Sequence, residues 1–467
     1  MRSASMGRML GVGLALAAVV PQAMAADASA EKLDAMARQI QALQAQVDAL
    51  RQETEAARAE LARMRGGRQA VPAPADDDVS AVAADDASAV AAETGDTAVA
   101  AAVGDGSASG GGANAFNPAI TLILNGAYTH HSRDPGTYAR AGFPIVGEGG
   151  PAPQGLSLGE SEVSLAANID DKFYGQFTMA VGTEDGQDEL GVEEAYIDTT
   201  ALPKGFSLRM GRFFSNIGYL NSHHAHTDNF FDRPLAYQAF LGNQYGDDGV
   251  QLRWVAPTSV FLEFGGELFR GDRFPAGGAQ HGGIGARSLF AHVGGSAGTE
   301  NEWLFGVSSL RTKAANAEDG FNGDNRLLVA DATWKWAPAG NFKDGGVTLR
   351  GEYFREVRDG LYIDPDDSAN TAPWSGTRRG GYLEAVYRLN RVWDIGYRYD
   401  RLWGGDNGPF AAATDPERHS AEVTWRNSEF SLFRLQLSRD TPDAGDSDTA
   451  VTLQYQTSLG AHGAHKF

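Results

Sequence analysis

Within six residues the chain sets three imidazoles and a carboxylate: His223, His224, His226 and Asp228. Nitrogen and oxygen donors of these types suit Zn²⁺. Arg233 adds a cation to the same stretch, and His130 with His131 forms a second imidazole pair. Two readings stay open on these residues alone. One is a transient zinc-binding lining, the other a polar, hydrogen-bonded cluster that holds no metal. The chain has no cysteine, so thiolate ligands and disulfides are excluded. It carries no nucleophile motif, so an enzyme is not expected, and no resident cofactor is required.

The histidines sit in an unusual setting. Phe213, Phe214, Tyr219, Leu220, Phe230 and Phe231 flank them, and a stretch so aromatic favours burial over exposure. On either side the chain alternates apolar and polar residues with a period of two, the mark of a strand with one oily face and one wet face. The clearest case is the C-terminal run Val451, Leu453 and Tyr455, followed by Leu459 and the final residue, Phe467. Sixteen such segments can be read, near 120–131, 157–170, 172–182, 191–199, 206–213, 249–255, 260–269, 288–294, 302–310, 327–336, 347–355, 381–389, 392–402, 418–426, 430–438 and 449–459. Connections after the even segments are short and those after the odd ones mostly long, including 132–156, 214–248 and 356–380. Short turns at one rim and long loops at the other predict a transmembrane antiparallel β-barrel. Sixteen strands leave room for an aqueous lumen.

The N-terminus points to export. Arg2 and Arg8 precede an apolar run from Met9 to Val20, and Ala23-Met24-Ala25 supplies a small-x-small cleavage site. Residues 1–25 thus read as a signal peptide. Residues 26–68 repeat apolar positions at heptad spacing (Leu33, Met36, Ile40, Leu43, Val47, Leu50 and onward to Met64), which predicts an α-helical coiled coil and a homo-oligomer. Residues 69–114, rich in Ala, Asp, Ser and Gly, read as a disordered linker. The barrel is expected over 115–467, with both chain ends on the periplasmic side of a bacterial outer membrane. A formal charge of −21 argues against nucleic acid as a partner.

If the apolar phase of each strand faces lipid, the other phase lines the lumen. That assigns Glu160, Glu162, Glu194, Glu263, Glu267, Glu352, Glu384 and Glu422 to the inner wall. Arg209, Arg253, Arg350, Arg398 and Arg434 join them there. Acids exceed bases, which predicts a weak cation preference. A second reading is that these charges pair across strands and only keep the wall wet.

The order of signal peptide, coiled coil, linker and sixteen-stranded barrel resembles the phosphate-selective porin O and P-like superfamily. The segments Phe116-Asn117-Pro118-Ala119-Ile120, Leu158-Gly159-Glu160-Ser161-Glu162, Gly246-Asp247-Asp248-Gly249-Val250 and the tail from Gly460 to Phe467 are similar to a proteobacterial group labelled zinc-regulated outer-membrane receptor. The superfamily implies a homotrimer, and the terminal Phe467 implies recognition by the barrel assembly machinery. The His-rich connection resembles the third loop that folds inward and narrows general porins. The expected function is passive diffusion of small polar solutes, with divalent metal ions such as zinc as the specific cargo. The alternatives are a metal-capturing receptor and an anion or phosphate channel.

Overall fold

The computed structural model describes residues 118–184, 187–278, 283–315, 317–405, 408–410 and 414–460. The leader, coiled coil and linker expected over 1–114, together with His281 and the terminal Phe467, lie outside the described residues. Strands run Ala119–His131 (β1), Gly155–Leu158 (β2), Ser161–Asn168 (β3), Phe173–Glu184 (β4), Gln187–Thr199 (β5) and Phe206–Phe214 (β6). They continue as Gly246–Val255 (β7), Phe261–Phe269 (β8), Ala286–Ala297 (β9), Asn301–Ala314 (β10), Phe321–Trp336 (β11) and Gly346–Ile363 (β12). The last five are Thr371–Arg388 (β13), Trp393–Trp403 (β14), Glu417–Ser428 (β15), Ser431–Asp443 (β16) and Asp446–Gly460 (β17).

Each strand pairs antiparallel with its sequence neighbour, and β1 closes the ring on β17 from Thr121–Gly460 to His131–Ala450. The segments β2 and β3 both pair with β1. They are two halves of one staff, broken at Gly159-Glu160, so sixteen staves form the barrel. Closure gives each staff a hydrogen-bonded neighbour on both sides, the arrangement by which strands can cross lipid. No described helix is long and apolar enough to cross a membrane.

The outer face is apolar. Leu289, Phe305, Val307, Leu328, Leu383, Leu435, Leu437 and Leu453 are exposed, while alternate residues such as Gln251, Glu422 and Gln454 are buried inside. Aromatic side chains stack around the short-turn rim: Phe206, Trp254 and Phe264 form one run, and Trp393, Trp425, Phe433 and Tyr455 another. This is the interfacial girdle of a membrane barrel. Substituting Leu453→Arg, at mid-height of that face, is expected to cost about 2–4 kcal/mol, against about 0–1 kcal/mol for Thr449→Arg nearer the rim. Urea unfolding of the barrel in lipid vesicles measures the difference.

The structure departs from the sequence expectation at the long-loop rim. The stretch 356–380 was expected as a loop, yet β12 runs on to Ile363 and β13 begins at Thr371. Arg355, Glu356, Arg358 and Asp359 interrupt the apolar alternation there. Ladder hydrogen bonds need only a neighbouring strand, not lipid, so the hairpin continues past the belt.

Candidate pore constriction

The connection between β6 and β7, residues 215–245, folds into the barrel instead of over its rim. Phe213, Ile217, Leu220, Tyr237, Phe240 and Tyr245 bury themselves in the core this creates, and Phe230 is buried beneath the Arg398 guanidinium. A short helix, Leu235–Leu241 (α1), is entirely buried. Pro234 precedes it and Gly242, at φ 61°, ends it in the left-handed conformation glycine favours. Gly218 is required for close approach. Its φ is 68°, and a Cβ there would collide with the Glu352 carboxylate and lie 2.7 Å from the Tyr237 hydroxyl.

Backbone donors and side chains of the loop are matched by polar groups all round the inner wall. Glu267 of β8 accepts from the Asn216 amide at 2.9 Å and from the Ser215 hydroxyl. Ser308 of β10 accepts from the Gly218 amide at 2.9 Å. Glu352 of β12 is the densest pin, accepting from the amides of Tyr219 (2.9 Å) and Leu220 (3.3 Å) and from the hydroxyls of Tyr237 and Tyr382. Glu384 accepts from Asn229 and pairs with Arg350, whose guanidinium lies over the Tyr219 ring. On β14 to β16, Arg398 and Arg418 both pair with Asp232, and Asp400 accepts from the Leu235 amide. Burial by itself would raise the Asp232 carboxyl, but the two guanidiniums bring it down to about 2. Arg434 donates to the Asp228 carbonyl and Gln456 to that of His226. The loop therefore spans the lumen rather than lining one side.

The histidine cluster separates in the structure. His224 and His226 face β3 and β5. His224 Nε2 lies 2.9 Å from Glu194, its Nδ1 3.1 Å from Glu162 and 3.5 Å from Glu193, and His226 Nδ1 2.8 Å from Glu162. One ligand atom each from Glu162, His224 and His226 falls within 4.8 Å of the others, as does a second set from Glu160, Glu162 and Glu193. The other expected ligands go elsewhere. His223 stacks on Tyr219 and turns Nδ1 to that residue's carbonyl. Asp228 pairs with Arg233 at 2.8 Å, and Arg233 also donates to the carbonyls of Leu220 and His223, so these two brace the loop internally. His130 points to the outer surface beside Gln154, and His131 pairs with Asp448 inside. Neither belongs to a three-ligand group among the described residues. The physical reason is local. The two short helical turns at Leu220–Ser222 and Ala225–Thr227 aim alternate imidazoles in different directions.

Two irregularities in the wall build the acidic half of this site. The break at Gly159-Glu160 brings Glu160 to the lumen beside Glu162. A β-bulge in β5 skips Glu193 between the pairs Thr178–Glu194 and Met179–Val192, so two consecutive glutamates face the histidines. A bulge commonly re-aims a side chain at a functional site in this way. Glu193 was not anticipated. The Glu193-Glu194 doublet, which violates a period of two, was the available signal. His224 Nδ1 and Glu193 Oε2, both buried, face each other at 3.5 Å. Burial would lower the His224 pKa, but the Glu162 charge, with bonds to Glu193 and Glu194, overrides it and holds the imidazole well above its usual value.

The remaining lumen residues also lie on the inner face. Arg209 pairs with Asp198 at 2.8 Å and stacks on Tyr196, and Arg253 approaches Glu263, which holds His292 at 3.0 Å. Glu422 accepts from Thr424, and Arg434 donates to Gln454 at 2.8 Å. Acids gather on β3 and β5, whereas Arg388 and Arg426 on β13 and β15 share Asp394, with Arg350 and Arg434 nearby on the same side of the ring.

No protein-family model matches the chain. It is 27% identical over 389 residues to an uncharacterized protein of Aquifex aeolicus (strain VF5), covering 76% of this chain and 80% of that one. Among solved structures it is similar to an anion-selective porin from Comamonas acidovorans (10% identity, 73% of this chain, 99% of that one, TM-score 0.48). It is also similar to the outer membrane channel DcaP of Acinetobacter baumannii (11% identity, 73% and 97%, TM-score 0.47).

Proposed function

We propose that this barrel is an outer-membrane, porin-like channel for passive diffusion of small polar solutes, with divalent metal ions such as zinc as specific cargo at its waist. The observation that carries the reading is the 215–245 loop, pinned across the lumen and setting His224 and His226 against Glu162. A wetted, charged tube selects by width and wall charge and needs no chemical step. The imidazole and carboxylate donors fit zinc, and Glu162, His224 and His226 each bring one ligand atom within 4.8 Å of the others. A cation arriving from the long-loop side would exchange hydration for these ligands and leave by the opposite mouth. By resemblance the channel is a trimer with its N-terminal coiled coil in the periplasm.

Calorimetric titration of the purified full chain with zinc tests the metal assignment. Binding in the micromolar range, lost in His224→Ala/His226→Ala and unaffected by His223→Ala, is the expected result. Equal binding by the double variant would sink it. The basic residues of β12 to β16 favour a second reading, an anion channel. Reversal potentials in asymmetric salt separate the two: cation preference is expected, and strong anion preference would select the second.

A further inference from the structure

Outside the barrel, above the apolar belt, runs an arc of arginines that no carboxylate among the described residues neutralises. On β9 to β13 the first outward residue past the belt at the long-loop rim is Arg287, Arg311, Arg326, Arg355 and Arg379 in turn, and on β16 it is Arg439. All six are exposed. Their registers set like charges side by side. Arg311 lies directly opposite both Arg287 and Arg326, Arg355 lies opposite Arg379, and His419 of β15 lies opposite Arg439. Like charges in such cross-strand pairs repel, and among the described residues none of these six arginines forms an ion pair. The contrast with β6 to β8 is informative. There Arg212 pairs with Asp248 and Arg270 with Asp272, both at 2.8 Å. On β10 to β12, one step farther from the belt, Lys313 faces Asp324 and Asp324 faces Asp359, so acids are present there but do not reach the arginine row.

We infer that this arc is a docking surface for the phosphate groups of outer-leaflet glycolipids. The position argues for that occupant. The side chains begin where hydrocarbon ends, at Leu289, Leu328 and Leu437, which is the depth of a lipid headgroup. Repulsion between paired guanidiniums is relieved by an anion bridging them, and a guanidinium fork matches two phosphate oxygens. Basic residues at the membrane boundary bind anionic headgroups for this reason. The inference rests on the outer-membrane reading with the long loops outward, and not on the metal site.

The test uses the full chain, purified and refolded without glycolipid. Binding of bisphosphorylated lipid A, and of the same glycolipid stripped of phosphate, is measured for the native protein and for the Arg311→Gln/Arg326→Gln/Arg355→Gln/Arg379→Gln variant. Affinity for the phosphorylated form should fall by about a hundredfold or more, given four basic residues at an anionic surface. It should return in the corresponding four-lysine variant, while the stripped lipid binds weakly to all. Inorganic phosphate should not compete at millimolar concentration. Phosphate-independent binding, or unchanged affinity in the glutamine variant, would overturn the inference. So would a change of oligomeric state in that variant without a change in lipid binding, which would make the arc a contact between copies of the chain. Conductance of the same preparations should be unchanged, because these side chains face away from the lumen. A barrel that binds lipid A yet conducts nothing would defeat the channel reading alone.

Discussion

Glu352→Ala is expected to detach the constriction loop from the β12 wall and raise single-channel conductance severalfold. This carboxylate accepts from two loop amides and two tyrosine hydroxyls, all buried. Removing it strands three loop donors, the amides of Tyr219 and Leu220 and the Tyr237 hydroxyl, at about 1 kcal/mol or more each, for a loss on the order of 3 kcal/mol from loop docking. The fourth donor, Tyr382, belongs to the wall strand β13. The barrel ladder does not depend on that contact, so the variant should keep its strand content and its resistance to unfolding in lipid. Conductance is the discriminating readout. If Glu352→Ala conducts like the native protein, the loop does not set the width of the pore. Glu352→Gln should be milder, since an amide oxygen still accepts from the loop amides.

The second large effect is a pH dependence centred on His224. Its pKa is raised, so the sign is that of a base gaining partners in the folded state. The stabilisation it gives is fully present below the ordinary imidazole value near 6.5 and is lost as pH rises through the raised folded value. At acidic and neutral pH the imidazolium clamps the loop to Glu162, Glu193 and Glu194. Above the raised value the clamp becomes neutral and three carboxylates face one another. Conductance should therefore increase on the alkaline side, and this increase should vanish in His224→Gln. Zinc binding should follow the same titration, because a ligand nitrogen must shed its proton before it coordinates. Apparent zinc affinity should rise with pH, by about tenfold per pH unit while one proton is displaced. Asp232 at the other end of the loop behaves differently. Its depressed carboxyl, about 2, keeps the Arg398 and Arg418 anchors intact until pH falls close to that value. Affinity that is flat between pH 5 and 9 would refute the assignment of His224 as a ligand.

Much of this architecture could be read from the chain before any coordinates. Every segment with a period of two is a strand in the barrel, because one face must meet lipid and the other water along its whole length. The long connection before β7 stood out for its aromatic content, and those rings, Tyr219, Tyr237 and Phe240 among them, are the ones packed inside. What escaped was anything that depends on a break in the period. The bulge that turns Glu193 inward, the interruption at Gly159-Glu160, and the extension of β12 and β13 beyond the apolar belt all violate the pattern that made the rest readable.

The pattern of alternation by itself points to a barrel and to which residues of its regular strands face the interior, since a slip of one residue would expose every apolar side chain to water. Which imidazoles meet which carboxylates was decided only in three dimensions. His223, His224 and His226 are equivalent as letters. Two helical turns rotate His223 onto Tyr219 and carry the other two to Glu162, across a separation of some sixty residues in sequence. No local rule reaches that far, because the direction of a loop side chain is set by the wall against which the loop comes to rest.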